Sequence, residues 1–395
     1  MKIAVLTSGI LPIPSVQGGA VENLIDFYLE YNETHKIHDI TIYSIYDKKV
    51  ENHPAHASSV NHYFYIDTNS LWSKIKRKVY YYMHGEEYHN YFIEYYLEQS
   101  MKHIQKHHYD YIILENRPSY ALKLRNVTNA KLIYHLHNEK LTLSTRSYQE
   151  IYDAASLIIC VSDYISRSVK SINTHDTKCV TVHNGIDLYA FASSAYIARK
   201  NVGLCDDDFV IIYSGRINPE KGIMELTEAI SRMTNYHNIK LLVIGSSFFG
   251  NVTIEDDFTK ELRKKTEHIK DKIRFTGYIP YKDVPAYLKL ADIAVVPSMW
   301  EEAFGLTVLE AMATGLPLIT TRSGGIPEIC EDVALIVDRS QIIENIIHSI
   351  ELLYNNPNLR RKMSVNSLNR AKDFSKDKYT YLFFNAIESL NSSNN

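Results

Sequence analysis

Two carboxylates eight positions apart, Glu302 and Glu310, bracket the run Ala303-Phe304-Gly305-Leu306-Thr307. An apolar stretch, Ile293–Val296, stops at Pro297 and reads as a buried strand. Glu302 then falls in a loop. Glu310 falls inside a helix expected over about 305–314, with Gly315 where a C-cap belongs. The unpaired N–H groups and partial positive charge at such a helix start suit a phosphate. Carboxylates beside it are poor phosphate ligands but good acceptors for sugar hydroxyls. The plain alternative is a solvated loop acid and an ordinary helix acid. A second group lies upstream. The strand 209–213 leads into Ser214-Gly215-Arg216-Ile217-Asn218-Pro219-Glu220-Lys221-Gly222, and a helix is expected from about Ile223. Arg216 and Lys221 can hold phosphate oxygens through charge-assisted hydrogen bonds. The spacing is not that of a Walker loop.

The first half carries a different set. A strand at 3–6, a Pro/Gly-rich loop at 7–19 and a helix at about 20–31 open a Rossmann-like half, with Gly18 and Gly19 before the helix. G-x-G-x-x-G is absent, so a dinucleotide is not indicated. Two glycines let backbone approach a ligand closely, and a plain turn explains the pair equally well. Further strands are expected at 39–45, 62–66, 111–114, 132–135, 157–161 and 179–182, with helical segments between them, including 86–106. Alternating strands and helices imply a parallel sheet covered on both faces, whose ligands sit beyond the carboxyl ends of the strands. Glu115 and Arg117 follow one strand there and are candidates for acceptor binding. His135 and His137 end another. A histidine is usually surface or satisfied core, and the chain has 17, but the strand-end position favours a functional His137. In the second half, 241–245, 273–277, 318–320 and 334–337 complete a second sheet, and 284–290 is helical.

A chain of 395 residues, 45% hydrophobic and 23% charged, suits two domains with sizeable cores. A net charge of -3 and a pI near 6.6 give no electrostatic footprint for nucleic acid. Cys160, Cys179, Cys205 and Cys330 are scattered without a C-x-x-C pair and read as reduced thiols of a cytoplasmic protein. The apolar start is too short for a signal peptide, and no run is long enough to cross a bilayer, so membrane contact would be peripheral. One stretch is suited to that. Residues 71–83 set Lys74, Lys76, Arg77 and Lys78 among Trp72 and three tyrosines, the composition of an interfacial helix on an inner membrane face, although an ordinary solvated face explains it too. A last amphipathic helix is expected at 374–390, and the tail 391–395 reads as disordered.

Glu302-x7-Glu310 around Phe304-Gly305-Leu306, G-R-x-x-x-E-K-G at 215–222, H-N-G-I-D at 183–187 and S-G-G-I-P-E at 323–328 together resemble the family-4 type of retaining glycosyltransferases with the GT-B fold. The likeness is strong over 184–340 and weak in the first half. It implies two Rossmann-like domains facing across a cleft: 1–186 on the acceptor side, 187–372 binding the nucleotide sugar, and 373–395 returning to the first domain. It implies catalytic roles for His137, Glu302, Arg216 and Lys221. It implies donor contacts from Gly18, Gly19, Ile279, Phe304, Gly305, Leu306, Thr307 and Glu310. Glu302 would face the donor sugar, Glu310 the ribose, Ile279 the base, and the backbone after Phe304-Gly305 the diphosphate. No metal or other cofactor is expected beyond the nucleotide sugar as co-substrate. Family frequency points to a UDP-linked hexose or N-acetylhexosamine, with a lipid-linked or polysaccharide acceptor in envelope or capsule synthesis. A sugar-nucleotide epimerase on the same architecture and a non-catalytic nucleotide-binding scaffold are the alternatives.

Overall fold

The computed structural model describes residues 1–84, 91–246 and 256–392. The expected start of a helix at 86 and the last three residues of the expected tail lie outside them; the described helix there is Tyr91–Ile104. The chain divides into two compact units, Met1–His183 with Tyr379–Asn395, and Asn184–Lys378.

The first unit is built on seven parallel strands in the order β3-β2-β1-β4-β5-β6-β7. They are β1 (Lys2–Leu6), β2 (Asp39–Ile45), β3 (Asn61–Ile66), β4 (Tyr111–Glu115), β5 (Lys131–Leu136), β6 (Ala155–Cys160) and β7 (Cys179–Thr181). Ile3, Val5, Ile113, Ile133 and Ile159 have no exposed surface, as expected of strands covered on both faces. The order reverses between β1 and β4, and at such a switch point the connections part and leave a crevice at the strands' carboxyl ends. The glycine loop and Glu115-Asn116-Arg117 leave the sheet there.

The second unit repeats the plan with six strands ordered β10-β9-β8-β11-β12-β13. These are β8 (Phe209–Ser214), β9 (Ile239–Ile244), β10 (Ile273–Gly277), β11 (Ile293–Val296), β12 (Leu318–Thr321) and β13 (Leu335–Val337). Its switch point lies between β8 and β11, whose carboxyl ends carry the Arg216–Lys221 loop and the Glu302 loop.

The closing helix begins later than its apolar pattern suggests, at Lys376–Ser392. The backbone before it is already paired: Ile186 N–H donates to Phe374 O at 2.9 Å, and Lys376 N–H to Ile186 O at 2.9 Å. From Tyr379 the helix belongs to the first unit, where Tyr379, Phe383, Phe384 and Ile387 are buried and Phe383 stacks on Tyr28 at 4.7 Å. Each such apolar side chain contributes roughly 1.5–3 kcal/mol when buried, so the C-terminal segment is part of that core.

Candidate functional site

In the second unit the two strand-end loops meet. Lys221 Nζ donates to Glu302 Oε1 at 2.6 Å, and Ser298 Oγ donates to the same oxygen at 2.6 Å. Met299 N–H donates to Glu220 O at 2.8 Å, tying loop to loop. The helix Leu306–Ala313 starts after Gly305 (φ 110°) without a side-chain cap. The N–H groups of Leu306 and Thr307 therefore have no protein acceptor among the described residues, as an anion site requires. A Cβ built on Gly215 would lie 3.9 Å from the Thr307 methyl, so the cationic loop runs beside this helix start. Arg216 is exposed, and its carbonyl accepts from Tyr213 Oη at 2.7 Å. Phe304 is buried against Phe374, with ring centroids 6.0 Å apart. Its ring is thus committed to the fold, and the expected diphosphate contact falls on the backbone after Phe304-Gly305. Ile279 is half-buried in the loop that follows β10.

Glu310 differs from Glu302. It is 8% exposed on the helix interior, and its carboxyl takes no hydrogen bond or ion pair among the described residues. Burial pushes its pKa up to about 8. An acid held this way is a group short of partners.

Other residues, given no site role from sequence, hold the Glu302 loop. Gly325 N–H donates to Glu302 O at 2.8 Å, and Gly324 N–H donates to the Glu301 carboxylate. Arg339 pairs with Glu301 and also donates to Met299 O at 3.2 Å. Gly324 sits at φ 52°, and a Cβ there would lie 2.1 Å from Glu302 O, so only glycine fits. The S-G-G-I-P-E string signalled the glycines; nothing in the sequence signalled Arg339.

The first unit has a separate cluster. β4 and β5 pair Glu115 with His135, which puts their side chains side by side on one face; His137 follows two residues on. Glu115 Oε2 accepts from His135 Nδ1 at 3.0 Å and from His137 Nε2 at 3.0 Å, and Oε1 accepts from Tyr28 Oη at 3.0 Å. Asn116, in the left-handed region at φ 58°, accepts from His137 N–H through Oδ1 at 3.2 Å. Burial would raise the Glu115 pKa, but the two histidines outweigh it and hold it at about 2. Burial, aided by His135, lowers the His137 pKa to about 4. Glu115 has no exposed surface, so the expectation that it contacts an acceptor is corrected: its oxygens are already used inside the fold. Arg117, half-buried beside it, keeps its guanidinium free of hydrogen bonds among the described residues.

Gly19 (φ 118°) has a reason the sequence did not supply. A Cβ there would meet the Glu22 carboxylate at 2.1 Å, so glycine makes room for Glu22 in the first turn of the helix Ala20–His35. Gly18 also has positive φ, 76°. Glu22 is buried, which raises its pKa to about 7.

Among the described residues Glu115, His135 and His137 place three ligand atoms within 4.8 Å of one another, close enough for a metal ion. The atoms a metal would take are the same ones that here make N–H to carboxylate hydrogen bonds.

A family profile described as "Glycosyl transferases group 1" matches residues 197–370, and one described as "Glycosyltransferase Family 4" matches 53–189. YtcC of Bacillus subtilis strain 168, named as a glycosyltransferase, is 28% identical over 382 residues, 93% of this chain and 86% of its own. The O-antigen chain mannosyltransferase B of Escherichia coli is 28% identical over 268 residues, 65% of this chain and 66% of its own. Among solved structures, Anabaena HepE in complex with UDP-glucose superposes with a TM-score of 0.72 at 19% identity, covering 99% of this chain and 100% of that one. That likeness carries the fold, two parallel-sheet Rossmann-like domains of the GT-B kind. The group 1 profile covers all six strands of the second sheet with their loops, and the Family 4 profile covers β3 to β7 of the first. The chain belongs to the group 1, family-4-type glycosyltransferases, and it is a transferase enzyme.

Proposed function

We propose that the enzyme moves a hexose or N-acetylhexosamine from a UDP-sugar to a lipid-linked or polysaccharide acceptor, with retention of the anomeric configuration, in envelope or capsule polysaccharide synthesis. The observation that carries the donor half is the Lys221–Glu302 contact of 2.6 Å beside an uncapped helix start. It puts a cation, free N–H groups and a sugar-type acceptor in one place. Lys221, Arg216 and the N–H groups of Leu306 and Thr307 hold the diphosphate and stabilise its charge as it leaves. They supply the positive charge a metal would otherwise bring. Glu302 accepts from sugar hydroxyls, and Glu310 gains the ribose hydroxyls it lacks in the free protein. UDP is favoured because HepE was solved with UDP-glucose. The acceptor is assigned to the first unit, near Arg117. A panel of nucleotide sugars tests this. Nucleotide release that needs an acceptor, with a product of unchanged anomeric configuration by NMR, is expected; release without any glycosylated product would refute it.

The reading includes work at an anionic membrane on its inner face. No helix among the described residues is long and apolar enough to cross a bilayer. The helix Leu71–His84 nevertheless has an unusual orientation. It packs inward through Ser73 and Arg77, with Arg77 4.3 Å from the Phe92 ring, and turns Leu71, Trp72, Ile75, Val79, Tyr82 and Met83 to solvent. At 3.6 residues per turn these six share an arc of roughly 120°. Lys74 and Lys78 flank the arc on one side and Lys76 on the other, all exposed. Lysines beside an outward apolar stripe complement anionic lipid. Of the four cations in this stretch, Arg77 is committed to the protein.

A further inference from the structure

We propose that Glu115 is a positioning residue, which fixes the ring protons of His135 and His137 so that His137 offers Nδ1 as a bare hydrogen-bond acceptor. Hydrogen-bond geometry and valence fix the assignment, with Glu115 ionised by its histidine partners and the His137 ring kept neutral by burial. An ionised carboxylate accepts and cannot donate. Both ring nitrogens at 3.0 Å from Glu115 Oε2 must therefore carry protons, Nδ1 of His135 and Nε2 of His137. The other oxygen is saturated by Tyr28 Oη at 3.0 Å and His135 Nδ1 at 3.2 Å. The ring centroids lie 4.1 Å apart, and His135 is wedged against Phe383 at 5.0 Å, so neither ring turns over freely. His137 Nδ1 is buried and unpartnered, as is His135 Nε2. Tyr28, Tyr379 and Glu22 around the carboxylate are buried and bring no positive charge, and Arg117, two residues along the chain, makes no ion pair with it among the described residues. His137 stays neutral near pH 7, consistent with its lowered pKa.

The consequence is selective. A lone pair on a neutral ring nitrogen attracts an O–H donor and repels a phosphate oxygen. The ligand group His137 reads is therefore a hydroxyl, as on a sugar, and not the diphosphate. Only the identity of that hydroxyl rests on the transferase reading above.

Ring-15N histidine NMR on the full chain tests it, with the His137 signals assigned by their loss in His137→Gln. The wild type should show Nε2 protonated and Nδ1 bare from pH 6 to 8. Glu115→Leu removes the acceptor, so the pattern should invert or average, and kcat/KM for the nucleotide sugar should fall about tenfold with UDP binding unchanged. Glu115→Gln can place its amide oxygen at the Oε2 position and donate to Tyr28, so it should restore the wild-type pattern and most of the activity. A merely structural carboxylate would not separate Leu from Gln in the ring spectra. Protonation at Nδ1 of wild-type His137, or one equivalent of zinc retained through purification with metal-dependent ring signals, would overturn the proposal. If Glu115→Leu does not fold, the wild-type spectrum alone still decides. If no nucleotide sugar is turned over, the transferase reading fails while the spectrum still reports the tautomer.

Discussion

Two buried carboxylates, one in each unit, show what burial does and what partners undo. Glu115 has no exposed surface and Glu310 only 8%, yet the first is held at about pKa 2 and the second at about 8. Desolvation disfavours both ions. Glu115 is given two imidazole N–H groups and a tyrosine hydroxyl; Glu310 is given nothing among the described residues. The first is a finished internal network. The second is an incomplete one, and under the function proposed above the ribose hydroxyls complete it. Glu302 lies between these extremes, half-buried and shared by Lys221 and Ser298.

The sharpest way to break this contrast is to remove the cation. Lys221→Ala takes away a phosphate partner and leaves Glu302 uncompensated. A charge-assisted bond of ~1.5–3 kcal/mol corresponds to a roughly ten- to hundredfold loss in kcat/KM. Arg216→Ala should act in the same range. Activity should survive EDTA; loss on chelation with recovery on Mg²⁺ would contradict the metal-free reading.

A smaller effect follows from the Glu310 titration. Below about pH 8 the free protein holds this carboxyl protonated. If the ribose hydroxyls donate to it as an ion, binding releases a proton. UDP affinity should then rise up to about tenfold per pH unit between 6 and 8 and level off above, measured by calorimetry in buffers of different ionisation heat. Glu310→Gln should abolish the slope. Glu115 contributes no such slope, since its state does not change over that range.

Much of this was legible in the chain, for definable reasons. Parallel strands buried on both faces read as unbroken apolar runs, so β1, β4, β8 and β11 could be placed within a residue or two. Glu302, Glu310, Arg216 and Lys221 stood out through the Glu-x7-Glu and G-R-x-x-x-E-K-G patterns, set in the strand–loop–helix segments that follow such runs. What could not be read depends on pairing between distant segments. The register of β4 against β5 makes Glu115 a partner of His135 instead of an outward group. Arg339 reaches the Glu302 loop from beyond β13. Cys160 and Cys179, scattered in sequence, sit on neighbouring strands with sulfurs 3.4 Å apart. The composition of 71–83 showed an amphipathic helix but not that its apolar side faces out.

That helix gives the smallest effect per residue. Changing Lys74, Lys76 and Lys78 to Gln should weaken flotation with anionic vesicles by roughly 1 kcal/mol each at low salt, and the wild-type signal should fall as salt rises. Trp72→Ser should weaken it at every salt concentration. Equal flotation by wild type and the triple variant would assign the stripe to a protein partner or a second copy.

The most direct test of the account is calorimetry of UDP and of UDP-sugars against Glu302→Gln and Glu310→Gln. Glu310→Gln should weaken both ligands alike, because both carry the ribose. Glu302→Gln should leave UDP nearly unchanged, yet reduce turnover and discrimination between sugars. Equal loss of UDP affinity in both variants would contradict the division between a sugar-facing and a ribose-facing acid, and lowered melting temperatures with no ligand-specific pattern would reduce both to structural groups.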